Sequence, residues 1–111
     1  MTRLSELANL ILDAQLAKLQ VMARAKQDSE IQLAGLAAAV APAIDLSGLT
    51  GQRAAVQYQR WADIRRTELN LVLARQTAAW MDARVSASLA FGKAEALKSI
   101  AENLKRQIPR D

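Results

Sequence analysis

The sequence predicts an all-α fold: an antiparallel two-helix hairpin with coiled-coil packing, the second helix longer than the first. Three observations carry that expectation. Apolar residues make up 51% of the 111 residues and are mostly alanine and leucine, both strong helix formers. Only four glycines and two prolines are present to break regular structure. Apolar residues also recur at helical spacing along two long stretches, divided by a single strong turn signal.

The first stretch runs from Thr2 to Ala41. At 100° per residue, Leu4, Leu7, Ala8, Ile11, Leu19, Met22, Ala25, Leu33, Leu36 and Val40 share one face. Thr2 reads as an N-cap, with Glu6 in the first turn favourably placed against the helix dipole. Pro42 ends the element, since it disfavours helical geometry at Ala41 and has no N–H to donate. Arg24 to Gln32 is polar and short of large apolar residues, so a kink or frayed turn is expected there.

Residues 42–51, Pro-Ala-Ile-Asp-Leu-Ser-Gly-Leu-Thr-Gly, hold a proline and two of the glycines. They form the turn, with Ser47 or Thr50 as the cap of the second helix and Ile44, Leu46 and Leu49 folded inward. The second helix then runs from Gln52 to Gln107, and Pro109 stops it. Its stripe includes Ala54, Tyr58, Trp61, Ala62, Leu69, Val72, Leu73, Ala79, Trp80, Ala83, Ala87, Ala90, Phe91, Ala94, Leu97, Ala101 and Leu104. Glu102 and Arg106 support its exposed side at i,i+4. Residues 1–111 thus make one helical hairpin domain.

At 1.5 Å per residue the helices are ~60 Å and ~80 Å long. A turn centred near residue 46 pairs positions whose numbers sum to about 92. Leu33 then meets Tyr58, Leu19 meets Leu73, Ile11 meets Trp80 and Leu4 meets Ala87. Beyond Phe91 the second helix is expected to have no partner, although Ala94, Leu97, Ala101, Leu104 and Ile108 continue its apolar face. Leaving such side chains exposed forgoes a few kcal/mol at ~25 cal/mol per Å2. A partner is expected to cover them.

The composition excludes much chemistry. Without cysteine there is no disulfide, thiolate nucleophile or zinc–thiolate site. Without histidine the commonest general base and metal ligand are missing. The carboxylates form no metal site of the ferritin type, which needs a Glu-x-x-His pair, and no glycine-rich phosphate loop is present. No catalytic residue, cofactor or metal is therefore predicted, and the chain reads as a non-enzyme. No stretch approaches the ~18 apolar residues of a membrane span, and Asn9 and Asp13 interrupt any export-signal core. The expected location is cytoplasmic.

Net charge is +4 and unevenly spread. Residues 1–50 carry four basic and five acidic side chains, whereas residues 51–111 carry eleven basic and six acidic. Acidic partners should prefer the second half. Two tryptophans, Trp61 and Trp80, can either fill the gap between alanine-rich helices or anchor a partner. Trp61 is the better anchor, since it stands among Arg60, Arg65 and Arg66. Arg53, Arg60, Arg65, Arg66, Arg75 and Arg84 form either a solvated face or a site for carboxylate or phosphate. Nucleic acid is disfavoured because Asp63, Glu68 and Asp82 interrupt the basic strip.

Gln15 and Gln76 lie on the stripes and can face each other, either setting the register or sharing a wet position. Gly92 lies on the face opposite the stripe, as tolerated drift or as a joint. The candidate partner-binding residues are Arg60, Trp61, Arg65, Arg66, Phe91, Leu97 and Leu104.

The stretch Tyr58-Gln59-Arg60-Trp61-Ala62-Asp63-Ile64-Arg65-Arg66-Thr67-Glu68-Leu69-Asn70, with Ala90-Phe91-Gly92-Lys93-Ala94-Glu95-Ala96-Leu97, resembles the FliJ/YscO family of bacterial type III export. The resemblance extends from Leu4 to Leu104. It implies a cytoplasmic stalk and chaperone-like adaptor of a flagellar or type III protein export apparatus, standing in an export ATPase ring and contacting the export gate. The secreted hairpins with a Trp-x-Gly turn do not fit, because the turn here is Ser47-Gly48-Leu49-Thr50-Gly51. The alternatives are a self-assembling hairpin that dimerises into a four-helix bundle and, less favoured, a basic nucleic-acid-binding hairpin.

Overall fold

The computed structural model describes residues 2–43 and 49–107, with side chains over 3–38 and 51–107. Two helices, α1 (Thr2–Ala43) and α2 (Leu49–Gln107), pack antiparallel, and the described residues contain no strand. The second is the longer, 59 residues against 42.

The helix ends differ in detail from the expectation. α1 continues through Pro42 to Ala43, a shift within the fraying of any helix terminus. α1 already begins at Thr2, so Thr2 belongs to the first turn and Glu6 falls beyond it. α2 begins at Leu49, which places Thr50 inside the helix rather than before it. Ile44, Leu46, Ser47 and Ile108 lie outside the described residues, and so do the side chains of Val40 and Leu49. The polar stretch Arg24–Gln32 is helical throughout. Within it Lys26 Nζ donates to Glu30 Oε1 at 2.6 Å, an i,i+4 pair.

Packing divides the chain into two compact units, Met1–Met22 with Ala79–Asp111, and Ala23–Ala78. In the first, the covered positions of α1 are Ser5, Ala8, Leu12, Gln15, Leu19 and Met22. They alternate intervals of three and four, the 3.5-residue period of a left-handed coiled coil. Facing them, Ala83, Ala87, Ala90 and Ala94 are buried at the same alternation. Alanine methyls let two helix backbones approach closely, and that fit decides which face of α1 goes inward.

The decision corrects the expected stripe. Leu4, Leu7 and Ile11 are about half exposed and flank the seam, whereas Leu12 sits within it. A 3.6-residue reading drifts about 20° per heptad from the 3.5-residue seam. It also favours the largest apolar residues, which here are not the buried ones.

The register is corrected too. Leu4, Leu7, Ala8 and Ile11 line a groove of about 170 Å3 with Ala90, Lys93 and Leu97. Paired numbers in this unit therefore sum to about 101 rather than 92 (Leu4 with Leu97, Ile11 with Ala90). Ala94 is buried and Leu97 half-buried, so neither overhangs α1. The unpaired end of α2 starts near Ala101, about ten residues later than expected.

In the second unit the core is Leu36, Ala62 and Leu69, with Leu33 and Tyr58 packed against it. Ser29 is buried and donates its hydroxyl to Gln76 Oε1 at 2.5 Å. Gln76 is thus engaged within its own unit. Gln15 Oε1 is itself buried and has no hydrogen-bond partner among the described residues.

Three substitutions test this packing. Ala87→Leu should cost about 1–3 kcal/mol in urea unfolding, because the alanine seam has no room for three more carbons. Ser29→Ala should cost about 1–2 kcal/mol by stranding the Gln76 amide. Gln15→Leu should instead raise stability by about 1 kcal/mol. An Ala87→Leu protein as stable as the parent would refute the close alanine contact.

Candidate partner-binding surface

The candidate residues fall into two groups, one in each unit.

In the second unit, Trp61 is 53% exposed, so it does not fill the core. Its ring lies 5.5 Å from that of Tyr58 at 44°. The two rings belong to a groove of about 280 Å3 lined also by Gln32, Gly35, Leu36 and Arg65. α1 contributes the exposed Gly35 to this groove. A Cβ built on Gly35 would meet nothing within 4 Å, so no packing within the chain requires the missing side chain.

The arginines beside Trp61 do not act alike. Arg65 Nη1 donates to Glu68 Oε2 at 3.3 Å and its Nη2 to Gln32 Oε1 at 3.5 Å, which holds the guanidinium along the groove wall. Arg66 Nη1 donates to Asp63 Oδ1 at 3.2 Å. Arg60 lines a different hollow, of about 390 Å3, with Gln52, Arg53, Val56 and Gln57. Trp61 and Arg65 therefore share a site, whereas Arg60 and Arg66 stand outside it. Exposed i,i+3 pairs add little stability. They do neutralise the positive charge next to the tryptophan, which weakens any phosphate-backbone reading of the strip.

In the first unit, Phe91 and Leu104 are 56% and 45% exposed. Leu97 and Leu104 lie seven residues apart and share a face, while Phe91 points about 120° away from them. The three do not form one patch. Trp80 is half-buried, with the Arg84 guanidinium 4.8 Å over its ring. A groove of about 380 Å3 follows the end of α2, lined by Ser5, Asn9, Ala94, Lys98 and Ala101 among others.

Sequence reasoning missed one surface of this unit. Met81, Val85 and Leu89 are 56–62% exposed on the side of α2 turned away from α1. With Arg84 and Ser88 they border a groove of about 350 Å3. The signal was available: Met81, Val85, Leu89, Gly92 and Ala96 recur every three or four residues, about half a turn from the buried alanines. One helix carries two apolar stripes, and a search for a single face finds only one.

No three metal-ligating side chains converge among the described residues. No helix there is long and apolar enough to cross a membrane. Comparison with known proteins finds no matching family model, curated protein or solved structure.

Gly35→Ala should raise thermal stability, by about 1 kcal/mol, since it adds helix propensity without a clash. A loss of stability would mean that the glycine serves packing within the chain.

Proposed function

We propose that this chain is a non-enzymatic coiled-coil adaptor that binds protein partners, and that the Trp61 groove is one of its anchoring sites. One observation carries the reading. Leu36, Ala62 and Leu69 fill the core of the second unit, while its Trp61 ring stands half exposed beside a groove shared with Tyr58, Gly35 and Arg65. Half-exposed tryptophan beside a fixed arginine is the composition of a binding hot spot. Arg65, held flat by Gln32 and Glu68, suits a partner side chain that is acidic or aromatic.

The resemblance of residues 58–70 and 90–97 to the FliJ/YscO family supports a specific setting. In it the chain would be a cytoplasmic stalk or chaperone-like adaptor of a flagellar or type III export apparatus, and its partners the export ATPase ring and the export gate. The exposed Leu104 end of α2 is the part of the hairpin that would then reach beyond α1.

Titration calorimetry of the purified chain against the export ATPase of the same genome tests this reading. Trp61→Ala should weaken binding at least about tenfold, the loss of one hot-spot side chain, with little change in melting temperature. Leu104→Asp tests the α2 end in the same assay. Absence of binding by the unsubstituted chain removes the export assignment, and wild-type affinity in Trp61→Ala removes the groove as an anchor.

A further inference from the structure

We infer that a second copy of this chain docks antiparallel on the outward face of α2 between residues 80 and 96, with the two-fold axis near Leu89. This surface is separate from the Trp61 groove, and the inference does not depend on the export reading.

Shape supplies the first reason. The face is a stripe of Met81, Val85, Leu89, Gly92 and Ala96, with Met81, Val85 and Leu89 more than half exposed. Large side chains stand at one end and small ones at the other. An antiparallel copy in which paired numbers sum to about 177 brings Met81 against Ala96 of the other copy and Val85 against its Gly92. Large then meets small on both sides of the axis, and Leu89 meets its own counterpart at the centre. A parallel copy in register would set Met81 on Met81 and leave a gap at Gly92.

Gly92 supplies the second reason. It sits in the middle of a continuous helix, where glycine is unfavourable. A Cβ there would meet nothing within 4 Å, so folding of the single chain does not call for it. Close approach of another backbone does.

Charge supplies the third. Asp82 and Lys93 border one side of the stripe, and Arg84 and Glu95 the other. In an antiparallel pair, same-side residues of the two copies meet. Asp82 then faces Lys93 of the other copy, and Arg84 faces its Glu95. Symmetry makes each pair twice. Among the described residues Asp82, Lys93 and Glu95 form no ion pair within the chain, whose pairs are Lys26–Glu30, Arg65–Glu68 and Arg66–Asp63.

Analytical ultracentrifugation over a concentration series tests the inference, with circular dichroism as the check on folding. The unsubstituted chain should pass from monomer to dimer. Gly92→Leu should remain helical and stay monomeric at concentrations where the parent dimerises. Asp82→Lys and Lys93→Asp should each weaken dimerisation about tenfold through two repulsive contacts, and the double exchange should restore it. A parallel dimer behaves oppositely. There the double exchange sets two positive charges together at positions 82 and 84 and two negative charges at 93 and 95, and weakens it further. A strictly monomeric parent, an unimpaired Gly92→Leu dimer or a double exchange without rescue each overturns the proposal.

Discussion

The close contact between two helices along an alanine seam is the constraint on which the rest of the structure depends. Ala83, Ala87, Ala90 and Ala94 are buried, and each contributes little apolar area of its own. Their value is geometric. Small side chains allow near approach, so many weak dispersion contacts accumulate along the seam. In that unit the same choice leaves the buried row of α2 without a large side chain. Leu4, Leu7, Ile11, Val85 and Leu89 of that unit stand on the flanks or the outside.

That inversion explains what was and was not legible in the sequence. Helix content and the greater length of α2 followed from alanine and leucine propensity and from the one cluster of glycine and proline. The inward face of α1 did not, because bulk is a poor guide where the partner helix offers alanines. Ser5, Leu12 and Gln15 hold covered positions that hydrophobicity alone would not give them. Register failed for a related reason. The centre of the turn points to one pairing, whereas the pairing is set by which heptad positions of α1 accept the alanine row. A difference of about ten in the paired sum moves the start of the overhang from Phe91 to near Ala101 and returns Leu97 to the packed part of its unit.

Polar residues at covered positions show the same division between pattern and outcome. Glutamines on both stripes suggested a pair, yet Gln76 is taken by Ser29, a residue in the stretch that looked weakest. A buried hydroxyl meeting a half-buried amide fixes relative height more tightly than apolar contacts do, since a slip of one turn would strand the hydroxyl. Ser29 therefore turns a polar interruption in α1 into a register mark for its unit. Gln15 has no such counterpart among the described residues, and its burial works against folding. The two positions look alike in sequence and differ only in what stands opposite.

Two helices that bury one face each cannot cover a second stripe, however well they pack. The apolar outer face of α2 is therefore a property that the hairpin has no internal means of removing. Random drift would scatter such residues singly, and singly exposed apolar residues need no explanation. Here they are periodic, graded from large to small, and bordered by charges of opposite sign in the order that a two-fold axis requires. The Trp61 groove likewise includes a helical glycine, Gly35, that packing within the chain does not demand. Both features cost the isolated chain stability, through exposed apolar area in one case and a helical glycine in the other. Neither offsets that cost by a contact inside its own unit. Association with another protein surface, as proposed above, would give both a common physical reason. Because they use different residues, substitution can switch off either one while leaving the other in place.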